Sequence, residues 1–292
     1  LPLMQRPLPL EHPMVALGQG VIVDVARPGE AKNLDARDIV APFTPGALRG
    51  GSHVHIFSGD GQWVEEERYS ISPRVPASEY ADAWGNLCQR IVAGRGPLKI
   101  STRVHVDTED SIAVAPGAPR TPIERLPVDV LSLLLASRYV ESERFESQAR
   151  EIAGDALPGY DQVEAIRAWI HECFEYRYGV SNESTSARDS LCERKGVCRD
   201  FAHVGIALTR ALGIPARFVA GYLHGLDPMD LHAWFEAWVD GRWYTFDATQ
   251  ARPRGGRIVI GYGRDALDVA LATPFGETKL NRMQVSVREL RD

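Results

Sequence analysis

The sequence predicts an α+β protein in which strands and helices occupy separate stretches of the chain. Short strand-like runs separated by turn residues fill residues 50–115, whereas residues 128–212 carry the apolar spacing of helices. After Gly213-Ile214-Pro215 the apolar period changes from about 3.6 to about 2, which indicates a return to strands. Runs of strands followed by runs of helices are typical of the α+β class.

Composition and charge are those of an ordinary globular protein. The chain has 292 residues, of which 44% are hydrophobic and 25% are charged. The net charge of -6 argues against nucleic acid as a partner, and no apolar run reaches the roughly 18 residues that span a membrane. The Pro-broken start, Leu1 to Leu10, lacks the apolar segment of a secretory signal, so we expect a cytoplasmic protein.

Cysteine usage indicates a reduced compartment. The sequence contains no C-x-x-C pair, which argues against a disulfide framework and against a structural zinc site. We therefore expect no metal and no other cofactor. The four sparse cysteines are Cys88, Cys173, Cys192 and Cys198.

Residues 1–120 are predicted to form a β-rich, sandwich-like N-terminal domain. Its first 45 residues are left unplaced except for one strand at 21–25. Regular turn signals separate further strands at 53–57, 62–71, 87–92 and 99–107. The last of these alternates best and puts Ile100, Thr102, Val104 and Val106 on one face.

Residues 121–251 are predicted to form the core, and residues 252–292 a C-terminal strand region that packs on the preceding domains. Helices are expected at 128–135 and 141–156. Asp161-Gln-Val-Glu164 has the form of a capping box, so a helix of about 15 residues should follow it. A short helical segment is expected at 184–191.

Cys198 stands at the head of a strongly amphipathic helix. Phe201, Val204 and Leu208 recur at helical spacing, and Gly213 followed by Pro215 ends the helix. Free N–H groups and the positive end of the helix dipole favour a thiolate at such a position. The alternative is a small, buried and inert thiol.

Asp240-Gly241 between two alternating runs predicts a hairpin with a two-residue type I′ turn. That turn would pair Val239 with Arg242, Trp238 with Trp243 and Glu236 with Thr245.

Continuing the same register puts Trp234 opposite Asp247 and His232 opposite Thr249. His232 and Asp247 then become diagonal neighbours on one face, with Cβ atoms about 7–8 Å apart. The other face is apolar and should face a core.

A carboxylate on one imidazole nitrogen leaves the other nitrogen free to take a thiol proton. The Cys198 helix must pack on the sheet to bury its apolar stripe, so the sequence predicts a triad of Cys198, His232 and Asp247. The register leaves the separation of Cys198 from the hairpin open. A zinc site made by the same three residues is an alternative.

Other residues near this triad carry weaker predictions. Trp234 would either shield the His–Asp pair from water or simply pack. Tyr222 would line the site or supply an oxyanion donor, or do neither. Asp200 should stabilise the helix end. His203 lies about 140° round the helix from Cys198 and is a poor candidate for the base.

Several motifs resemble the transglutaminase-like superfamily of papain-like cysteine enzymes, in its bacterial cysteine peptidase branch. The resemblance implies a papain-like core, with the cysteine helix packed on an antiparallel sheet. It also implies that Cys198 is the nucleophile, His232 the general base and then acid, and Asp247 the residue that orients His232. The motifs are Gly196-Val-Cys198-Arg-Asp-Phe-Ala202, Arg217-Phe-Val-Ala-Gly-Tyr222, His232-Ala-Trp234-x-Glu236 and Trp243-x-x-x-Asp247-x-Thr249.

The implied activity is acyl transfer on a peptide or glutamine-type amide through a thioester, with a protein or peptide as substrate. Because the chain lacks calcium-ligand clusters, we expect hydrolysis, by a protease or amidase. Protein-glutamine transglutamination is the first alternative. A binding module that keeps the fold without activity is the second.

Overall fold

Strands precede helices along the chain and return after them, which confirms the α+β prediction. The computed structural model describes residues 20–26, 48–53, 56, 58, 61–94, 96–274 and 280–290. The N-terminal strands are β1 (Gly20–Ala26), β2 (Leu48–His53), β3 (Gln62–Ser72), β4 (Ala77–Ala81), β5 (Leu87–Ala93) and β6 (Lys99–Thr108). The helices are α1 (Val128–Leu131), α2 (Glu146–Ala153), α3 (Tyr160–Cys173), α4 (Ala187–Glu193) and α5 (Cys198–Ala211). The remaining strands are β7 (Glu175–Tyr176), β8 (Lys195–Gly196), β9 (Ala216–Leu223), β10 (His232–Val239), β11 (Arg242–Phe246), β12 (Arg257–Gly263), β13 (Ala272–Pro274) and β14 (Ser286–Leu290).

The N-terminal strands form two four-stranded sheets, in the orders β14-β1-β6-β3 and β13-β2-β5-β4. Ile91 of β5 packs with Ile100 of β6, so apolar side chains of the two sheets share one cluster. Strand β6 buries the four alternating residues that the sequence analysis put on one face. Strand β2 ends at His53, and Ile56 is not in a strand; residues 54, 55 and 57 of the strand predicted at 53–57 lie outside the described ranges.

Two helix predictions need correction. Only 146–153 of the stretch 141–156 is α-helical, after a single 3-10 turn at 142–144. Helix α3 begins at Tyr160, one residue before the expected cap, so Asp161 is not its N-cap. The Asp161 carboxylate instead accepts the N–H of Gly117 at 2.9 Å, which ties the segment between β6 and α1 to helix α3.

The core sheet has the strand order β11-β10-β9-β12 and is antiparallel throughout. Its hairpin has the predicted register, with Trp238 opposite Trp243 and Glu236 opposite Thr245. The φ angles of Asp240 (47°) and Gly241 (81°) are both positive, as a type I′ turn requires.

Helix α5 packs on one face of this sheet, against the odd-numbered residues of β10. Gly205 permits the close approach, because a Cβ at that position would lie 2.3 Å from the ring of Phe235. Phe235 is fully buried and stacks on Phe246 with ring centroids 5.6 Å apart. The middle of α5 is therefore packed tightly against the middle of β10.

The C-terminal strands β12, β13 and β14 join three different sheets. Strand β12 lies beside β9 in the core sheet, whereas β13 and β14 pair with β2 and β1. Val104 and Val106 of β6 share an apolar cluster with Ile258 and Ile260 of β12, which joins the first N-terminal sheet to the core sheet. The domain limits at residues 120 and 251 stay a prediction. None of the helices in the described ranges combines the length and apolar character needed to cross a bilayer.

Replacing Gly205 with Ala should destabilise the protein. The added methyl group overlaps the Phe235 ring, and overpacking of this kind costs roughly 1–3 kcal/mol, more than the gain of about 1 kcal/mol in helix propensity. Urea unfolding monitored by circular dichroism would measure the loss. Gly94→Ala is the matched control, since no atom lies within 4 Å of its Cβ position. Equal stability of both variants would contradict the packing argument.

Candidate active site

The head of α5 is shaped by a close contact between Gly196 and Asp200. The Asp200 carboxylate accepts the N–H of Val197 at 2.9 Å, which confirms the predicted helix-end role of Asp200. A Cβ at Gly196 would lie 2.6 Å from the Asp200 Cβ, so a residue without a side chain is needed there. Cys198 is the first residue of the helix and is half-buried. Its Sγ points toward the Leu231 carbonyl oxygen, 3.9 Å away.

His232 and Asp247 meet as the hairpin register predicted. The Nε2–H of His232 donates to Asp247 Oδ2 at 2.8 Å, and both side chains are buried. Nε2 is thereby committed to the carboxylate, which leaves Nδ1 for another partner.

Cys198 and His232 are in contact, which the register of the hairpin alone could not predict. His232 lies on the face of the sheet opposite α5, but it is the first residue of β10 and so reaches the helix start. Burial by itself opposes the charged imidazole, yet the charge and hydrogen bond of Asp247, followed by the hydrogen-bonding thiol of Cys198, raise the pKa of His232 to about 9. His232 can therefore hold a proton at neutral pH beside the Cys198 side chain.

Three residues donate four hydrogen bonds to Asp247. Besides His232, Arg257 Nη2 donates to Oδ2 at 3.0 Å, and the Thr249 hydroxyl and N–H donate to Oδ1 at 2.7 and 3.0 Å. Burial alone would raise the pKa of Asp247, but the charges and hydrogen bonds of His232, Arg257 and Thr249 outweigh it and lower the pKa. The carboxylate is therefore charged over the whole neutral range.

Tyr176 is a further neighbour of Cys198. The pairing of β7 with β8 puts Tyr176 beside Gly196, and its ring contacts Phe201 with centroids 5.8 Å apart. Burial first, and then the nearby Cys198 thiol, raise the pKa of Tyr176. Its phenol therefore stays protonated, and it hydrogen-bonds Tyr178 and the backbone of Cys198.

A cleft of about 320 Å³ opens in front of His232. Its lining combines aromatic side chains with the two carboxylates of Asp227 and Asp230. The remaining lining residues are His171, Phe174, Tyr176, Tyr178, Phe201, Leu226, Asp227, Pro228, Asp230, Leu231, Thr249 and Gln250.

Trp234 and Tyr222 are both fully buried but differ in position. The Trp234 ring packs against the guanidinium of Arg257, with 4.9 Å between the ring centroid and Cζ, and so covers the cation that binds Asp247. Tyr222 belongs to the apolar cluster around Val104 and Ile258 and is not among the residues that line the cleft. Their roles in substrate binding stay predictions.

His203 is buried and has its own hydrogen-bond partner. The fully buried His203 accepts the N–H of Ala266 at Nε2, 3.1 Å away, and burial lowers its pKa to about 3. It is therefore a neutral structural residue.

The zinc site that was the alternative for the triad finds no support in the described ranges, where no group of three or more His, Cys, Asp or Glu residues could bind a metal. Both oxygens of Asp247 already accept hydrogen bonds.

Sequence reasoning missed Arg257 and Tyr176. Arg257 follows a Pro-Arg-Gly-Gly loop that carries no pairing signal, and Tyr176 lies in a two-residue strand. Thr249 was available from the hairpin register, which put it opposite His232.

A sequence family described as the transglutaminase-like superfamily matches residues 146–248. The crystal structure of a candidate cysteine protease from Cytophaga hutchinsonii is 33% identical, covers 84% of this chain and 89% of that chain, and superposes with a TM-score of 0.73. These likenesses confirm the papain-like core with its β-rich sandwich-like domain. They also support assignment of the fold to cysteine-dependent enzymes.

Two curated relatives differ in how much they share. The uncharacterized protein ML0607 of Mycobacterium leprae is 29% identical over 234 residues, covering 73% of this chain and 81% of that protein. A protein-glutamine gamma-glutamyltransferase of Pseudomonas aeruginosa is 32% identical over 120 residues, which cover 35% of this chain and 18% of that enzyme.

The N-terminal residues have a separate likeness. A family described as a protein of unknown function (DUF3748) matches residues 13–69. The uncharacterized protein YidR of Escherichia coli is 61% identical over 46 residues, which cover 16% of this chain and 10% of that protein. The two family matches do not overlap.

Asp247→Asn should slow alkylation of Cys198 by iodoacetamide at pH 7 by about tenfold or more. Without the carboxylate, burial favours neutral His232, and the imidazolium that stabilises a thiolate is lost. Peptide mass spectrometry would follow the rate. The exposed Cys192 is the internal control, because its rate should not change. An unchanged rate at Cys198 would contradict the coupling.

The rate of Cys198 alkylation should fall as the pH is lowered, and Arg257→Gln should shift this fall (the acid limb of the pH profile) to higher pH. Arg257 helps to hold the pKa of Asp247 below its ordinary value, so without this cation the carboxylate takes up a proton at a higher pH and releases His232 earlier. The measurement is the alkylation rate between pH 3 and pH 8. Arg254→Gln is the matched control, since Arg254 binds His224 and Gln250 but not Asp247. A shift of the acid limb to lower pH, or an equal shift in both variants, would contradict this role of Arg257.

Proposed function

Because this chain belongs to the transglutaminase-like superfamily, we propose that it catalyses acyl transfer from a peptide or glutamine-type amide through a thioester on Cys198. The observation that carries the proposal is the arrangement of three side chains. Cys198 lies at a helix N-terminus beside His232, and His232 Nε2 is held by Asp247 at 2.8 Å. A nucleophile, a base and a residue that orients the base are the parts that covalent catalysis requires.

Acylation would proceed in two proton transfers. His232 Nδ1 takes the thiol proton, and the Cys198 sulfur attacks the amide carbonyl carbon. The C–N bond of the resulting tetrahedral intermediate breaks as His232 returns the proton to the departing amine or ammonia. Asp247 stays charged throughout because its pKa is held low.

The oxyanion of that intermediate would form at the head of α5. The backbone N–H of Cys198 is one candidate donor, since the first N–H groups of a helix have no partner within the helix. In this structure the Cys198 backbone hydrogen-bonds the Tyr176 phenol, which the oxyanion would replace. The protonated phenol of Tyr176 lies beside the same residue and is a second candidate donor.

Release of the acyl group by water is the outcome that we propose first. The cleft is lined by His232 and by Tyr176, a neighbour of Cys198, and it would supply water to a thioester on Cys198. His232 would then act as a base on that water, and a carboxylic acid would leave. The product would be a cut peptide or a deamidated glutamine.

Transfer to a primary amine is the second candidate, because of two observations. The core region resembles a protein-glutamine gamma-glutamyltransferase over 120 residues. The cleft is also lined by Asp227 and Asp230, whose carboxylates would attract a cationic amine. In this case the product would be a substituted amide.

Glutamine-containing peptides should yield products with the purified protein, and Cys198→Ala should yield none. Mass spectrometry would distinguish the outcomes, because hydrolysis of a glutamine side chain adds about 1 Da, peptide cleavage shortens the chain, and amine transfer adds the amine minus ammonia. Parallel reactions with and without a primary amine such as cadaverine separate water from amine as the acceptor. Absence of every product, together with an unreactive Cys198, would instead support a binding module without activity.

A further inference from the structure

We propose that the cleft in front of His232 recognises a basic side chain, that of lysine or arginine, close to the reacting amide of the acyl donor. This inference rests on the proposed function, in the form that releases the acyl group to water. Water needs no recognition by charge, so the carboxylates of the cleft are then left for the acyl donor itself. His171 is the further specificity residue that this assignment identifies, because it lines the same cleft.

Two carboxylates of the cleft have no cation beside them. Asp227 and Asp230 belong to the loop between β9 and β10, and Asp230 accepts the N–H of Leu231 at 2.7 Å. Neither forms an ion pair with any residue that the structure describes, and no lysine or arginine is among the described lining residues. Asp227 is exposed and Asp230 is half-buried, so a ligand can reach both. A positively charged group in the cleft would compensate their charges.

His171 adds an acceptor of a different kind. It lies in the last turn of α3, and its Nδ1–H donates to the Ala248 carbonyl oxygen at 3.0 Å, because a carbonyl oxygen can only accept. In the neutral imidazole Nε2 then carries a lone pair, and no hydrogen bond reaches it from the described part of the chain. The half-buried ring is still accessible. A lysine ammonium carries three N–H donors and an arginine guanidinium five, so either could use several of these acceptors.

The aromatic lining suits the apolar stem of such a side chain. Tyr176 and Tyr178 meet edge-on with ring centroids 5.5 Å apart, and 43% and 57% of their surfaces are exposed. No cation of the described ranges covers either ring, so both can be contacted from the cleft. Lysine and arginine pack their methylene stems on apolar surface, and their charged ends are attracted to aromatic faces. The cleft therefore offers contacts to both parts of a basic side chain.

Peptide binding to Cys198→Ala tests the proposal without turnover. Fluorescein-labelled glutamine peptides would carry lysine, norleucine or glutamate at each position beside the glutamine, and fluorescence polarisation would measure their affinities. Norleucine has an apolar stem like that of lysine but no charge. At one position or more, the lysine peptide should bind about tenfold more tightly than the norleucine peptide. The difference should shrink at high salt, where charges are screened.

Substitutions in the lining test which residues recognise the charge. Asp227→Asn, Asp230→Asn and His171→Phe should each lower the ratio of lysine to norleucine affinity by severalfold. Damage to the fold would weaken both peptides alike, so only recognition of the charge changes this ratio. Glu172→Gln is the matched control, because Glu172 is an exposed carboxylate next to His171 that is not a lining residue. This control should keep the parent ratio.

Three results would overturn the proposal. Equal affinities for lysine and norleucine at every position would show that the cleft does not recognise charge. A lysine preference that persists in Asp227→Asn, Asp230→Asn and His171→Phe would put the cation elsewhere on the protein. Binding of free cadaverine, with no gain from lysine beside glutamine, would assign the carboxylates to an amine acceptor. Product formation by the protein with Cys198 intact is measured separately, so failure of this inference is distinguishable from failure of the proposed function.

Discussion

The candidate site depends on a single buried carboxylate. Asp247 has two oxygens, and the structure engages both, with His232 and Arg257 on one and Thr249 on the other. A buried charge is tolerable only when it is paired and hydrogen-bonded, and here the same contacts that satisfy the carboxylate also orient the imidazole. The direction of the His232 ring and its raised pKa follow from that anchorage.

Contact between the thiol and the imidazole requires two elements to meet at their ends. Helix α5 packs on the face of the sheet opposite His232, so a residue further along β10 could not reach Cys198. The meeting succeeds because each residue is the first of its element. Gly205 fixes how closely the helix approaches the sheet, and Gly196 allows Asp200 to fold back on the helix start.

Local chemistry explains which features could be predicted from the sequence. The Asp240-Gly241 turn sets a pairing that propagates along both strands, so the His232–Asp247 neighbourhood followed from one dipeptide. Arg257 and Tyr176 could not be found in this way, because their positions come from β12 joining β9 and from β7 joining β8, contacts between distant segments. The prediction of Asp161 as a cap was wrong for a related reason, since its carboxylate accepts the N–H of Gly117, which is 44 residues away between β6 and α1.

Arg257 joins Asp247 to the first residue of β12. One nitrogen of its guanidinium donates to Asp247, another donates to the Arg254 carbonyl oxygen, and Trp234 lies against its plane. A guanidinium is rigid and its charge is delocalised, so a new partner on one nitrogen alters both the position and the charge distribution of the other. A change at the Arg254 end of this contact therefore alters the hydrogen bond to Asp247, and through Asp247 the position of the imidazole beside Cys198.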